Sequence, residues 1–286
     1  HPERAAAALT VHTTMEPMRR FIFRGNAAAY GGRVYRPDDI IIEAKGASSL
    51  PVAGGRSSAR LAPARFGEVM RVGRASTLAE GFFDDLQQAI ALTHHKIPED
   101  ALTTSTMVTA ELEGLIVGRK PKMTIERMQA AMAGRSPVGS REPAIPLEKA
   151  LIKGVSIDGH KLNVDLETEV FQRYDTRSKL VAAADDPKFV RAYGACLFMS
   201  SPDGARKADT PRRLESGGVI HATIVKSLRW AGKPYPGAVI DGHTVRVPDL
   251  GLAFFGELLI TGTSRRLTLA RFELGSIDGG SASPVA

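Results

Sequence analysis

The feature that most constrains the fold is the last quarter of the chain, where short apolar and β-branched runs follow one another with turn signals at short intervals. Four strands are predicted there: 219–225, 238–247, 252–261 and 265–274. Strands that are joined by turns, with no helices between them, are typical of antiparallel sheets. We therefore predict a β-rich α+β protein, an antiparallel β-sandwich or distorted barrel that carries two or three helices.

Residues 154–164 and 237–247 share the pattern G-x-x-I-D-G-H-x-[LV]-x-V. Asp-Gly between extended runs predicts a hairpin with a type I′ turn. Both loop residues of this turn need positive φ, which glycine accepts freely and aspartate accepts moderately well. Two ordinary hairpins explain the similarity, and a duplicated substructure would explain it as well. A third hypothesis makes the carboxyl and imidazole groups of each turn a catalytic or metal-binding pair. The candidate catalytic residues under this hypothesis are Asp158, His160, Asp241 and His243.

Two helices are predicted from the helical spacing of apolar residues. The first covers 78–94, in which Phe82, Phe83, Leu86 and Ile90 share one side. The second covers 176–193 and is interrupted near residue 186. There Pro187 suits the first turn of a renewed helix, and Asp186 suits its N-cap.

Other strands are predicted in the first half of the chain. Ile40–Ile42 are three consecutive β-branched residues, which indicates a strand buried on both faces or at a sheet centre. A Thr- and Ser-rich run covers 103–109, and apolar and polar residues alternate in 108–113, which predicts a strand with one solvated face. A loop at 118–121 leads to a returning strand at Met123–Glu126, and a helix over 124–132 is the competing interpretation.

The organisation into domains follows from a turn-rich connection. Gly134–Pro146 contains two glycines and three prolines, so it is predicted to be a connection. The predicted parts are 1–135, β-rich with one helix, and 148–286, with hairpins and a helix; a single domain is the alternative. The small residues from Gly275 onward indicate a terminal tail.

The charge of the chain predicts an anionic partner. Lys and Arg number 38 against 31 Asp and Glu, which gives a net charge of +7. Aromatic residues make up only 6% and the basic residues are scattered along the chain, so specific nucleic-acid binding is not predicted. An anionic polymer or a protein partner is expected instead. The candidate ligand-binding residues come from the polar loop 200–218 and the strand end that follows it: Arg206, Lys207, Arg212, Arg213, Trp230 and Tyr235.

The familiar catalytic motifs are missing from the sequence. It contains no G-x-S-x-G, P-loop, G-x-G-x-x-G or H-E-x-x-H pattern, and the single cysteine, Cys196, lies in an apolar run that predicts a buried thiol. No metal and no cofactor are predicted. The leading hypothesis is a non-catalytic binding or structural module; the alternatives are a hydrolase with a dispersed histidine and carboxylate site and an assembly subunit.

The first residue of the chain and the length of its apolar runs are the two features from which localisation can be predicted. No run approaches the roughly 18 apolar residues of a membrane-spanning helix, so no membrane span is predicted. The chain begins at His1 and not at Met, which favours an exported protein whose leader has been removed.

Overall fold

A computed structural model describes residues 23–34, 40–85, 103–137, 140, 142–197, 219–274 and 281–285 of the chain. Three helices lie in this described part: α1 (Glu169–Arg173), α2 (Arg177–Ala184) and α3 (Pro187–Leu197). The remaining elements are β-strands. In chain order they are β1 (Asn26–Val34), β2 (Ile40–Lys45), β3 (Ser48–Ser49), β4 (Gly55–Leu61), β5 (Ala64–Phe66), β6 (Met70–Val72), β7 (Ala75–Phe83), β8 (Thr103–Val117), β9 (Met123–Pro137), β10 (Leu147–Lys153), β11 (Val155–Ile157), β12 (His160–Leu166), β13 (Ile220–Thr223), β14 (Val225–Trp230), β15 (Val239–Asp241), β16 (Thr244–Val247), β17 (Gly251–Ile260), β18 (Arg265–Leu274) and β19 (Ser281–Val285).

The strands form two antiparallel sheets. Sheet I has nine strands in the order β15-β16-β17-β18-β19-β1-β2, with β13 beside β17 and β3 beside β1. Sheet II has ten strands in the order β14-β12-β11-β9-β8-β6-β5, with β10 beside β9 and β7 between β4 and β8. The predicted β-rich α+β class is confirmed in its sandwich-like form, and the described strands do not close into a barrel.

The two sheets share one hydrophobic core. Phe255 and Phe272 of sheet I and Met123 of sheet II are fully buried in it, together with Phe171 and Leu180 from the helices. Strands from before and after the predicted connection enter both sheets, since β1 pairs with β19 and β9 pairs with β11. The division into two domains stays a prediction. No helix in the described ranges is long and apolar enough to cross a membrane.

The first predicted helix is wrong where the structure describes it. Residues 78–83 belong to β7, which pairs with both β4 and β8, and residues 86–94 lie outside the described residues. The buried positions of β7 are Ala75, Thr77, Ala79 and Gly81, which alternate with more exposed ones. Because these inward residues are small, the apolar phenylalanines at 82 and 83 dominated the pattern and concealed the period of two.

The strand predicted at Ile40–Ile42 is confirmed as part of β2, but it is neither buried on both faces nor at a sheet centre, because β2 is the edge strand of sheet I. Ile42 is buried, whereas Ile41 is 69% exposed. Three adjacent β-branched residues therefore reflect strand propensity and not burial on both faces. The prediction of a terminal tail is also wrong for Ser281–Val285, which forms β19 between β18 and β1.

Two other predictions, the returning strand after residue 121 and the interrupted helix near residue 186, are confirmed. The returning strand at Met123–Glu126 is confirmed, and the competing helix is excluded, because β9 pairs with β8 along nearly its whole length. This strand continues to Pro137, so the predicted connection begins later than Gly134. The interrupted helix is confirmed: α3 begins at Pro187, and the Asp186 carboxylate accepts a hydrogen bond from the Lys188 amide at 2.8 Å.

The two similar hairpins have different turns. In the first, Ile157 pairs with His160, and the loop residues Asp158 and Gly159 have φ of 43° and 87°, as a type I′ turn requires. In the second, Asp241 pairs with Thr244, so the loop residues are Gly242 and His243. Only the glycine has positive φ there, at 57°, which is the pattern of a type II′ turn. The type I′ prediction is thus confirmed for the first hairpin and wrong for the second, where the turn is shifted by one residue.

Candidate anion-binding surface

A row of residues crosses the outer face of sheet II, because directly paired residues of antiparallel strands point to the same face. The pairs Arg65–Arg71, Arg71–Ile116, Ile116–Thr124, Thr124–Ser156 and Ser156–Lys161 join six strands, from β5 to β12. At the usual strand spacing this row is about 24 Å wide. It has cationic side chains at both ends and hydroxyl groups between them.

The tip of the β8–β9 hairpin adds further cations to the β5 end of this row. A cleft of about 440 Å³ lies here. We call it the basic groove, and its lining residues are Arg65, Glu68, Arg71, Ile116, Gly118, Arg119, Lys120 and Lys122. Five of these side chains are cationic and one is a carboxylate, so the described lining carries an excess of positive charge.

Two contacts inside the basic groove use part of this charge. The Arg119 guanidinium lies 3.9 Å from the Glu68 carboxylate, and both side chains are more than half exposed. The Arg65 Nε donates to the Gly67 carbonyl at 2.7 Å. Because an exposed ion pair contributes only about 0–1 kcal/mol, the Glu68 contact holds the Arg119 guanidinium weakly.

Backbone contacts hold the basic groove in place. The Gly118 amide donates to the Val69 carbonyl at 2.9 Å, which joins the hairpin tip to the β5–β6 turn. The Asp158 carboxylate accepts from the Lys122 amide at 2.9 Å, and the Asp158 amide donates to the Lys122 carbonyl at 3.0 Å. Thr124 and Ser156 share a hydroxyl hydrogen bond of 2.7 Å in the middle of the row. These contacts fix the backbone positions from which the cationic side chains of the groove extend.

The first predicted catalytic pair lies in the β11–β12 hairpin of sheet II. Asp158 is exposed and serves the backbone contacts just described. His160 is partly buried, with its Nδ1 3.0 Å from the Lys233 carbonyl and its ring edge-on to Tyr235 at 5.5 Å. The structure therefore places this histidine in contact with a backbone carbonyl and an aromatic ring.

The second pair lies in sheet I, so the structure does not bring the two histidines together. His243 has 16% of its side chain exposed, and its Nε2 lies 4.0 Å from the Glu257 carboxylate. Burial lowers the pKa of His243, although Glu257 opposes the shift. Both oxygens of Glu257 accept hydrogen bonds from Arg271, at 2.7 and 2.8 Å. The Arg271 guanidinium also contacts Glu273 and stacks 3.7 Å from the Phe254 ring centroid.

The carboxylate beside His243 is thus already engaged by a cation. Hydrogen bonds and charge from Glu257 raise the pKa of Arg271 even though its own burial opposes this. Strand alternation would place Glu257 and Phe254 on opposite faces of β17. The alternation is interrupted at Gly256, which has φ of 62° and is buried next to the buried Phe255, so Glu257 lies on the same outer face as Phe254. We call these five residues the outer cluster: His243, Phe254, Glu257, Arg271 and Glu273.

The predicted ligand-binding residues are only partly described. Trp230 pairs with the buried Leu162, so its side chain points toward the core, against which both it and Tyr235 pack. The four basic residues of the polar loop lie outside the described residues: Arg206, Lys207, Arg212 and Arg213. Cys196 lies in α3, and its side chain falls outside the described part.

The sequence interpretation missed the residues of the basic groove. Arg65 and Lys122 are separated by more than fifty residues and meet only through strand pairing. The available signal was the cluster of basic residues around Pro121 in a predicted hairpin loop, since a loop on rigid strands is a common place for binding residues. Within the described ranges, no group of three or more His, Cys, Asp or Glu residues is arranged to hold a metal ion.

A comparison with models of protein families gives a match over most of the chain. The family model described as "Domain of unknown function (DUF8256)" matches residues 21–261. No curated protein and no solved structure matches the chain.

Proposed function

The chain belongs to the DUF8256 family, and we propose that it is a binding module that holds a linear anionic polymer along the basic groove. The observation that carries this proposal is the lining of the basic groove, where strands β5 and β6 and the tip of the β8–β9 hairpin bring together five cationic side chains and only one carboxylate. Lys and Arg attract phosphate or sulfate groups through charge and charge-assisted hydrogen bonds.

The shape of the surface supports a polymer as the ligand. The row of outward residues continues from the groove to Lys161, across six strands, which is much wider than one phosphate or sulfate group. A chain of repeated anionic groups would contact several of these cations at once. Each contact releases counterions, so the affinity should depend steeply on salt.

The composition of the groove supports recognition by charge alone. Its described lining includes no aromatic side chain on which a nucleobase could stack. Specific recognition of nucleobases is therefore not part of this proposal. We infer that any polymer with closely spaced phosphate or sulfate groups would bind.

The hydrolase hypothesis has less support. A general base needs a free basic group with a partner that orients it. Glu257, the carboxylate beside His243, binds Arg271 with both oxygens. The Lys233 carbonyl orients His160 through its Nδ1, but among the described residues no carboxylate contacts this histidine. The described lining of the basic groove contains no histidine.

The test measures binding of a heparin oligosaccharide at several salt concentrations. The groove variant combines Arg71→Ser, Lys120→Ser and Lys122→Ser. The matched control combines Lys149→Ser, Lys188→Ser and Arg246→Ser, three exposed cations outside the groove lining. Both variants have the same net charge, so any difference between them reports position and not total charge.

We expect the groove variant to bind at least about tenfold more weakly than the control, and its slope of log affinity against log salt to fall by about 2. The control should keep nearly the slope of the unchanged protein. Equal losses in the two variants would mean that only net charge matters, and would overturn the proposal.

A further inference from the structure

A second cleft, of about 490 Å³, lies where the two sheets meet. Its walls come from the start of β1, from the facing stretches of β8 and β9, and from the β17–β18 turn with the start of β18. We propose that this cleft binds a small organic anion, a carboxylate or phosphate ester on a compact apolar body. The proposal is independent of the basic groove, since the two sets of lining residues do not overlap.

A buried cation lines this cleft. Arg265 is only 9% exposed, and its guanidinium donates to the carbonyl oxygens of Phe171, at 3.1 Å, and Tyr174. These two bonds occupy two of its five N–H donors and hold the group at the end of α1. Among the described residues, no carboxylate lies within ion-pair distance of Arg265, so carbonyl dipoles alone contact its charge.

The carboxylates in the neighbourhood are already engaged elsewhere. Asp175 accepts from the Lys179 ammonium at 2.7 Å, and Glu142 accepts from the Ser178 amide at 2.8 Å at the start of α2. Burial lowers the pKa of Arg265 to about 10, and these two carboxylates only partly offset that effect. An anion in the cleft would add negative charge to that of these two carboxylates, beside an arginine that is largely buried.

Two more cations stand at the rim of the same cleft. Arg24 and Arg266 are exposed, and the described lining contains no carboxylate to neutralise them. The turn that leads to Arg266 is held by the Thr261 hydroxyl, which accepts from the amides of Thr263, at 3.2 Å, and Ser264, at 3.0 Å. These hydrogen bonds hold the turn directly before β18, the strand from which Arg265 and Arg266 extend.

The remaining wall determines the kind of anion. Val108, Met132 and Ile145 are among the apolar residues that line the cleft, and they suit an apolar body better than a sugar or a bare inorganic ion. A volume of about 490 Å³ is typical of sites for small ligands. The combination of buried and rim arginines with an apolar wall is the chemistry that recognises an amphipathic anion.

The experiment uses phenyl phosphate as the probe in isothermal titration calorimetry. Benzyl alcohol provides the apolar ring without the charge, and inorganic phosphate provides the charge without the ring. The rim variant combines Arg24→Gln with Arg266→Gln, two exposed positions whose replacement leaves the contacts of Arg265 intact. Its matched control combines Lys188→Gln with Arg246→Gln, which are exposed and lie outside the lining.

We expect saturable binding of phenyl phosphate that the rim variant weakens by at least about tenfold and the matched control leaves nearly unchanged. Benzyl alcohol and inorganic phosphate should each bind more weakly than phenyl phosphate. Ala133→Phe, which narrows the cleft, should weaken phenyl phosphate more than inorganic phosphate.

Three outcomes would overturn the proposal: no saturable binding up to about 10 mM probe, equal weakening in the two double variants, or binding of benzyl alcohol as tight as that of phenyl phosphate. The basic-groove variant should keep its affinity for phenyl phosphate. The two proposals can therefore fail separately.

Discussion

The two hairpins with the shared G-x-x-I-D-G-H pattern show how different environments develop from nearly the same local sequence. In the hairpin of sheet II, the turn is Asp158-Gly159, and His160 lies in the strand beside Tyr235. In the hairpin of sheet I, the turn is Gly242-His243, and the histidine lies against the outer cluster. The same motif therefore gives one histidine that contacts a backbone carbonyl and another that neighbours a carboxylate.

The reason for the difference is the neighbouring strand. The His243 carbonyl accepts a hydrogen bond from the Phe255 amide of β17 at 3.0 Å, which holds this residue beside the adjacent strand. In the other hairpin, the Asp158 backbone and carboxylate are bound to Lys122. Asp-Gly permits either turn, because glycine accepts positive φ at either loop position, and pairing with the next strand selects between them.

The largest effect is expected from Glu257→Ala in the outer cluster. This change removes both carboxylate oxygens that accept from Arg271 at 2.7 and 2.8 Å, while most of the arginine side chain stays buried. We expect the free energy of unfolding, measured in urea, to fall by about 2–3 kcal/mol. Glu273→Ala, which removes the more exposed partner of the same arginine, should cost less than half of that. Equal costs would show that the cluster does not depend on Glu257.

Substitution of the turn glycines tests whether the two turns are equally strained. Gly159 and Gly242 have φ of 87° and 57°, and a Cβ at either position would meet nothing within 4 Å. Gly159→Ala and Gly242→Ala should each lower the free energy of unfolding by about 1–2 kcal/mol through backbone strain alone. Gly232→Ala is the control, since it is equally open and has no positive φ, so it should be neutral or slightly stabilising.

The turn aspartates should separate the two hairpins. Asp158→Ala removes the hydrogen bond to the Lys122 amide and places alanine at φ of 43°, so we expect a loss of about 1 kcal/mol and weaker heparin binding. Asp241 lies at an exposed strand end, and Asp241→Ala should change the stability by less than about 0.5 kcal/mol. Urea unfolding of both variants checks this, and a larger effect at Asp241 would contradict it.

The smallest effect concerns pH. Burial lowers the pKa of His243 below its ordinary value of about 6.5, so the unfolded chain takes up a proton at a higher pH than the folded protein does. The contribution of neutral His243 to the stability of the folded protein is therefore complete above the pKa that this histidine has in the unfolded chain. It is lost as the pH falls through the lower pKa that the histidine has in the folded protein. The difference in unfolding free energy between the unchanged protein and His243→Asn should decrease as the pH falls below about 6.5. His160→Asn provides the comparison; an identical pH dependence in both variants would contradict the assignment to His243.

Much of the fold could be read from local chemistry. Pro187 after Asp186 predicted where a helix starts again, Asp158-Gly159 predicted a type I′ turn, and the alternation in 108–113 predicted a strand, because each signal acts over a few neighbouring residues. The candidate histidines were also visible in the sequence as a repeated motif. Their surroundings were not, since Glu257 and Arg271 reach His243 only through strand pairing.

The sequence by itself determined the antiparallel β-rich class, most of the C-terminal strands and the caps and turns whose chemistry is local. Only the tertiary structure decided that residues 78–83 form a strand, that the second turn shifts by one residue, and that Arg65, Arg71 and Lys122 meet in one groove. The physical reason is range: turn and cap preferences depend on adjacent residues, whereas the neighbours of a strand's side chains depend on which distant strand it pairs with.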